Sequence, residues 1–299
     1  MKKNKEKELL LLITNYCNEC EIKDFCCNEE CILFNIKEII TQEEWVLKIK
    51  QIEKETAVDF VRKYHYSKIM PRLTKYYLGF YEKEKLCGVV TLGWGTQPLQ
   101  TIKKIFYKHS LVTNDYLEIG KMCFLPEYNN TSYFGSKVCS MLFEWLKQNT
   151  KCLFLYTLAD GIMGKCGYVY QASSFKYLGS FKTSVYMNIK TGEKIHPRSA
   201  KILLKENAEF EGKEKVFWLT DEFCKYKGID KINGLMFRYI FPLNKEAKKI
   251  LKQYKEFNKP YPKDKNLVFE RRTAKGKFVK IEQPKFNMNV FEYNYQKVK

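Results

Sequence analysis

Leu155-Tyr156-Thr157-Leu158-Ala159-Asp160, followed after a short loop by Gly167-Tyr168-Val169-Tyr170-Gln171-Ala172-Ser173-Ser174-Phe175, is the stretch on which the fold of this chain turns. The apolar run from Cys152 to Leu158 has the length and composition of a buried strand, and it delivers Asp160 to its C-terminal end. In α/β folds that end faces the crevice where ligands bind. Gly161, Gly164 and Gly167 supply the turn that follows, since glycine reaches backbone conformations closed to other residues. Tyr168 and Tyr170 stand at alternate positions, which a strand would place on one face. The same residues also read as a core strand, a glycine loop and packing aromatics.

Working outward, residues 135–147 repeat Val138, Met141, Leu142, Trp145 and Leu146 at helical spacing. Residues 76–81 and 86–92 read as a hairpin around Lys83-Glu84-Lys85, and 116–125 as another strand. Residues 36–63 read as helical, with Thr41 and Gln42-Glu43-Glu44 as a capped start. His65-Tyr66-Ser67 ends that helix and Pro71 prevents its continuation. Further strands are expected at 168–171, 176–187, 216–219 and 236–241, with helical stretches from His196 and over 244–254. The succession predicts an α/β fold in which a mixed, mostly antiparallel sheet is flanked by helices over residues 37–263. It matches the layout of a GNAT-type acyltransferase. From Asp264 onward Arg271, Arg272, Lys275, Lys277 and Lys280 alternate with aromatics without periodicity, which reads as a basic tail over 264–299.

The net charge of +19, from 53 Lys and Arg against 34 Asp and Glu, favours polyanionic partners. The 21 tyrosines can stack on bases or fill a core. No apolar stretch approaches the roughly eighteen residues needed to cross a bilayer. Leu9 to Ile13 is too short for a signal peptide, so a cytoplasmic protein is expected. Five of the 11 cysteines lie in residues 1–36 as Cys17, Cys20, Cys26, Cys27 and Cys31. A segment this small needs a staple to fold. Cys17, Cys20, Cys31 and one of Cys26 or Cys27 would complete a tetrahedral zinc site; an iron–sulfur cluster uses the same ligands, and reduced thiols without metal have the same appearance.

Four blocks carry a family resemblance: His65-Tyr66-Ser67, Leu117-Glu118-Ile119-Gly120-Lys121-Met122-Cys123, Asn130-Thr131-Ser132-Tyr133-Phe134-Gly135-Ser136, and the Asp160–Phe175 segment. Their order and content resemble the Mom family of phage DNA-modification proteins from about residue 60 to 180, and Phe237 to Leu243 continues the resemblance more weakly. The resemblance implies a GNAT-related transferase that places a carbamoylmethyl-type group on N6 of adenine in double-stranded DNA and so protects phage DNA from restriction. It also implies an iron-type site at His65, with Tyr66 and Asp160 as further ligands. GNAT enzymes cradle the pyrophosphate of acyl-CoA on a glycine-rich loop at a helix N-terminus. Here Tyr133 stands where the first glycine belongs and only Gly135 remains, so CoA is in doubt and the acyl donor is unknown.

The remaining candidates follow from residue chemistry. Asp160 can bind metal, orient a base or accept the N6 proton, or simply cap the glycine loop. Glu118 sits mid-strand among apolar neighbours, where a carboxylate is costly unless Lys121 or Arg238 pairs with it. Tyr168 and Tyr170 can sandwich a flipped adenine or pack the core. Asn130, Ser132, Gly135 and Ser136 flank the helix start and can contact donor or phosphate, although a serine N-cap looks the same. Lys68, Arg72, Lys121 and Lys165 are the candidate phosphate contacts around the cleft mouth. Two rivals stand beside this reading: a conventional N-acetyltransferase acting on a small amine or aminoacyl-tRNA, and a non-catalytic nucleic-acid-binding protein.

Overall fold

The computed structural model describes residues 46–129, 131, 133–197, 200–274 and 277–293. Its framework starts with β1 (Leu47–Gln51), α1 (Lys54–Tyr64), β2 (Leu73–Glu82) and β3 (Lys85–Trp94), followed by α2 (Pro98–Ile105) and β4 (Tyr116–Phe124). The short α3 (Pro126–Asn129) and the long α4 (Phe134–Asn149) lead into β5 (Phe154–Asp160). Next come α5 (Tyr168–Ala172), β6 (Lys176–Asn188), β7 (Lys194–Ile195), α6 (Lys201–Phe210) and α7 (Asp221–Lys227). The chain ends in β8 (Ile229–Pro242), α8 (Lys245–Lys252) and the ribbon β9 (Glu270–Ala274) with β10 (Lys277–Lys280).

The strands run in the order β1-β2-β3-β4-β5-β8-β6-β7, with β9 added to β8 and β10 to β9. Each of these pairs is antiparallel except β4–β5. Parallel neighbours need a long crossover, and α3 and α4 provide it. One face of α4, with Phe134, Val138, Cys139, Leu142, Phe143 and Leu146, is buried, as its apolar spacing predicted. This mixed sheet with flanking helices is the GNAT-like layout expected from the sequence.

Three expectations are corrected. Residues 47–51 form an edge strand on β2, not part of a helix spanning 36–63, because Leu47 and Ile49 alternate with lysines at period two. Residues 168–172 form one turn of helix, not a strand. The alternation spans too few residues to separate the two periods, and Gly167 in the left-handed region (φ 91°) starts a turn there. Residues 216–219 are not a strand; they lead to Thr220, whose hydroxyl accepts the Phe223 N–H and caps α7. Within the segment read as an aperiodic tail, Arg271 lies opposite Ile232 and Glu270 opposite Asn233. The described residues from 47 onward form one compact unit, and among them no helix is long and apolar enough to cross a membrane.

Gly167 shows how closely the loop is fitted. A Cβ there would lie 2.6 Å from the Tyr239 ring, whose hydroxyl donates to the Cys166 carbonyl and accepts from Gln171 Nε2 at 3.1 Å. Gly212 shares the left-handed backbone, at φ 62°, but faces open space. Gly212→Ala is therefore expected to cost only the conformational strain, about 1 kcal/mol, while Gly167→Ala adds displacement of Tyr239 and exceeds about 2 kcal/mol. Urea denaturation of the two variants checks this; equal losses would contradict it.

Candidate functional site

The site is built where β4 and β5 stop pairing. Their ladder runs from Tyr116↔Phe154 to Ile119↔Thr157 and no further. Beyond it β4 stays paired to β3 as far as Phe124, and β5 stays paired to β8 up to Asp160↔Met236. The two halves of the sheet thus diverge with their outer hydrogen bonds intact. Lys121 and Asp160 project from the separating strands into a cleft of about 950 Å³. His65, Tyr66, Glu118, Lys165, Tyr168 and Tyr170 line the same cleft. His65 arrives because α1 ends there, its N–H donating to the Val61 carbonyl at 2.9 Å while its own backbone is already extended.

Tyr66 is the hub of the cleft. The His65 imidazole stacks against it with ring centroids 4.2 Å apart. Two ammonium groups lie over its ring, Lys165 Nζ at 4.7 Å and Lys194 Nζ at 5.4 Å. Cation–π attraction favours this arrangement, more so out of bulk water. Lys194 Nζ also donates to Asp160 Oδ2 at 2.8 Å, both side chains being largely buried. The other oxygen, Asp160 Oδ1, accepts the Ile162 N–H at 3.1 Å and so caps the turn after β5. Of the readings offered for Asp160, these contacts show the loop cap, together with an ion pair to Lys194 inside the cleft.

Ser67 couples the histidine to the buried lysine. Lys121 Nζ donates to the Ser67 carbonyl at 3.0 Å and to its hydroxyl at 2.9 Å. The Nδ1 of His65 lies 2.9 Å from the Ser67 N–H and 3.0 Å from its carbonyl, so it accepts from the one or donates to the other according to tautomer. Burial, with Lys121, Lys165 and Lys194 nearby, holds the imidazole well below its ordinary range, so it is neutral at pH 7. Burial first and then Lys194 push the Lys121 ammonium down to about 7, against the pull of Asp160. Lys165 is likewise lowered, mainly by burial. Burial followed by the Asp160 charge raises the Tyr66 phenol, which stays protonated.

The other predicted residues divide. Tyr170 is buried against Phe175 and Tyr239, at centroid distances of 5.3 and 5.6 Å, whereas Tyr168 is 49% exposed. Two positions apart on a helix they point to different sides, so they do not form the two faces of a base sandwich. Glu118 lines the cleft without an ion pair to either lysine or arginine among the described residues; the Gly95 N–H is its hydrogen-bond partner. Lys121 lies on the cleft floor and not at the mouth, only 8% exposed. Lys68 lines the cleft, and Arg72 is exposed but not part of its wall. Gly135 and Ser136 lie on the wall at the start of α4, where Ser136 Oγ donates to the Tyr133 carbonyl at 2.9 Å. Tyr133 itself takes the left-handed backbone, φ 63°, at the position read above as that of the first glycine of a GNAT-type loop. Asn130, Ser132 and Cys17, Cys20, Cys26, Cys27 and Cys31 lie outside the described residues.

Sequence reading missed Lys194, His196 and the wall made by Asn287, Met288 and Phe291. Glu193 and Ile195 are fully buried, and the alternate residues Lys194 and His196 face the cleft, a period-two signal only four residues long. The C-terminal wall is fixed by hydrogen bonds from Asn287 N–H to the Gly192 carbonyl at 2.8 Å and from Tyr293 N–H to Glu193 Oε1 at 3.0 Å.

The iron-type site implied by the resemblance does not fit these residues. Among the described residues no group of three or more His, Cys, Asp or Glu side chains is arranged to hold a metal ion. Both oxygens of Asp160 are engaged, and three lysine side chains crowd the carboxylate that would have to attract a dication.

A model of the Mom protein family matches residues 46–263. The chain is similar to the methylcarbamoylase mom of Escherichia phage Mu, with 25% identity over 251 residues that cover 81% of this chain and 95% of that protein. Among solved structures it is similar to a Bacillus subtilis acetyltransferase in complex with CoA, at 11% identity and a TM-score of 0.36, covering 66% of this chain and 99% of that one. It is also similar to an N-acetyltransferase from Staphylococcus aureus Mu50, at 14% identity and a TM-score of 0.34, covering 66% and 97%.

Glu118 makes the cleft's electrostatics measurable. Burial pushes its carboxyl from the ordinary 4.5 up to about 7. The folded protein therefore binds more protons than the unfolded chain between those values, and its stability falls as pH rises through that window. Glu118→Gln removes the cost of a buried carboxylate. Its melting temperature should exceed that of the parent by several degrees at about pH 8 and differ little at about pH 4. A difference independent of pH would show that Glu118 is not desolvated.

Proposed function

We propose, on the premise that the chain belongs to the Mom protein family, that it is a DNA-modifying transferase acting on the exocyclic amine of adenine in duplex DNA. The phage Mu relative is a methylcarbamoylase, and the group transferred here is proposed to be of the same kind. The observation that carries the reading is the convergence of His65, Tyr66, Lys121 and Asp160 on one cleft at the divergence of β4 and β5.

Adenine N6 is a poor nucleophile, because its lone pair is delocalised into the ring. A target inside a duplex is also out of reach until the base is flipped out. The cleft offers room for a base, and the half-exposed Tyr168 ring at its rim offers a stacking surface. His65, kept neutral by burial and by lysines, is fitted to take a proton from the amine. The tautomer that suits this task donates from Nδ1 to the Ser67 carbonyl and leaves Nε2 as acceptor. Asp160 fixes Lys194 over Tyr66 and so sets the position of the stacked histidine. Lys68 on the cleft wall and the exposed Arg72 are suited to hold backbone phosphates, which position the duplex without reading its sequence.

One observation favours a second reading, an N-acyltransferase acting on a small amine. The N-terminus of the 16-residue α4 opens on the same cleft, with Thr131, Tyr133 and Gly135 on its wall, and such a helix start attracts phosphate.

Mass spectrometry of nucleosides from DNA of cells expressing the protein separates the two. The proposal expects a new adduct on deoxyadenosine, lowered at least about a hundredfold by His65→Ala or Asp160→Asn in variants that keep the parent circular dichroism spectrum. Unmodified DNA together with an acylated small amine would establish the second reading.

A further inference from the structure

The floor of the cleft carries more positive charge than its own residues neutralise. Lys165 and Lys194 sit over one phenol ring, 4.7 and 5.4 Å from its centroid. Lys121 reaches Ser67, the residue next to that phenol, at 2.9 and 3.0 Å. Asp160 is the carboxylate that balances this cluster, and it is paired with Lys194 at 2.8 Å. Glu118, the other acid on the cleft wall, has no ion pair with these lysines among the described residues, and burial raises its carboxyl to about 7.

We infer that the cleft floor is an oxyanion site, in which Lys165 and Lys121 hold a carboxylate or phosphate group of a small co-substrate beside Tyr66. Three physical points support it. Like charges are gathered here at a cost that a bound anion would remove, and Lys194 lowers the affinity of both Lys121 and Lys165 for their protons. A buried ammonium group gains far more from an anion than a solvated one does. Two of the three ammonium groups lie too deep for the phosphate backbone of a duplex, Lys121 at 8% exposed and the Lys194 side chain at 11%, while Lys165 is exposed and reaches in over Tyr66 from the rim. An anion that reaches Lys121 as well as Lys165 must belong to a small molecule, while duplex phosphates meet the rim. In this the inference rests on the proposed function, because it assigns the anion to the group donor and leaves the rim to DNA.

The test uses the full chain, with acetate and inorganic phosphate as separate probes in isothermal titration calorimetry. Saturable binding of either probe is expected, weakened about ten- to hundredfold by Lys165→Met and retained in Lys165→Arg. Lys182→Met, which alters an exposed lysine on β6, should leave it unchanged. The preferred probe distinguishes a carboxylate-bearing co-substrate from a phosphorylated one. Absence of saturable binding, or equal weakening by Lys165→Met and Lys182→Met, overturns the site. Binding that depends on Lys165 in a protein that leaves deoxyadenosine unmodified would uphold the oxyanion site and refute the DNA reading instead.

Discussion

Everything placed in the cleft depends on the point where β4 and β5 cease to share hydrogen bonds, after Ile119 and Thr157. Opening a sheet exposes backbone donors and acceptors that are costly to leave unpaired. The cost is confined to one edge of each strand, since β3 continues to hold β4 and β8 continues to hold β5. Two of the walls are therefore well-paired half-sheets, and the loops after α1 and β5 with Asn287, Met288 and Phe291 close the rest. A site mounted on such walls keeps its side chains in register without help from the ligand.

Within those walls the electrostatics run against a naive count of charges. The chain is strongly basic, but the lysines nearest the centre are not simply cationic hands for phosphate. Burial weakens the hold of Lys121 and Lys165 on their protons, and the same crowding keeps His65 neutral. A neutral imidazole beside reluctant ammonium groups can exchange protons near neutral pH, which a solvated cluster of lysines could not do. The C-terminal wall contributes as well: Phe286 lies 5.6 Å from Lys194 Nζ, and Phe291 lies 6.0 Å from Lys68 Nζ. Residues far apart in the chain thus meet one cation from β7 and one from the loop after α1.

The legible parts of the sequence were those with a long, consistent period. The helical repeat from Val138 to Leu146 and the apolar run ending at Asp160 each specified an element and a direction, and Asp160 emerged at the cleft as a strand end should. Short segments were not legible. Tyr168 and Tyr170 fit a strand and a helical turn equally, and the left-handed Gly167 decided between them. Lys194 belongs to a strand of two residues, and Asn287 to Phe291 carry no period at all. Their positions come from tertiary hydrogen bonds to Gly192 and Glu193, which no local pattern records. The role of Tyr66 as a hub was hidden for a similar reason, because its partners come from β7 and from the loop after β5.

Photo-crosslinking tests most directly the central claim, that the opened sheet receives a base extruded from duplex DNA. A duplex carrying a photoreactive adenine analogue, irradiated in complex with the full chain and mapped by peptide mass spectrometry, should label peptides that contain Tyr66, Lys121 or Tyr168 on the cleft wall. Labelling confined to the α6–α7 face, away from the divergence of β4 and β5, would contradict it.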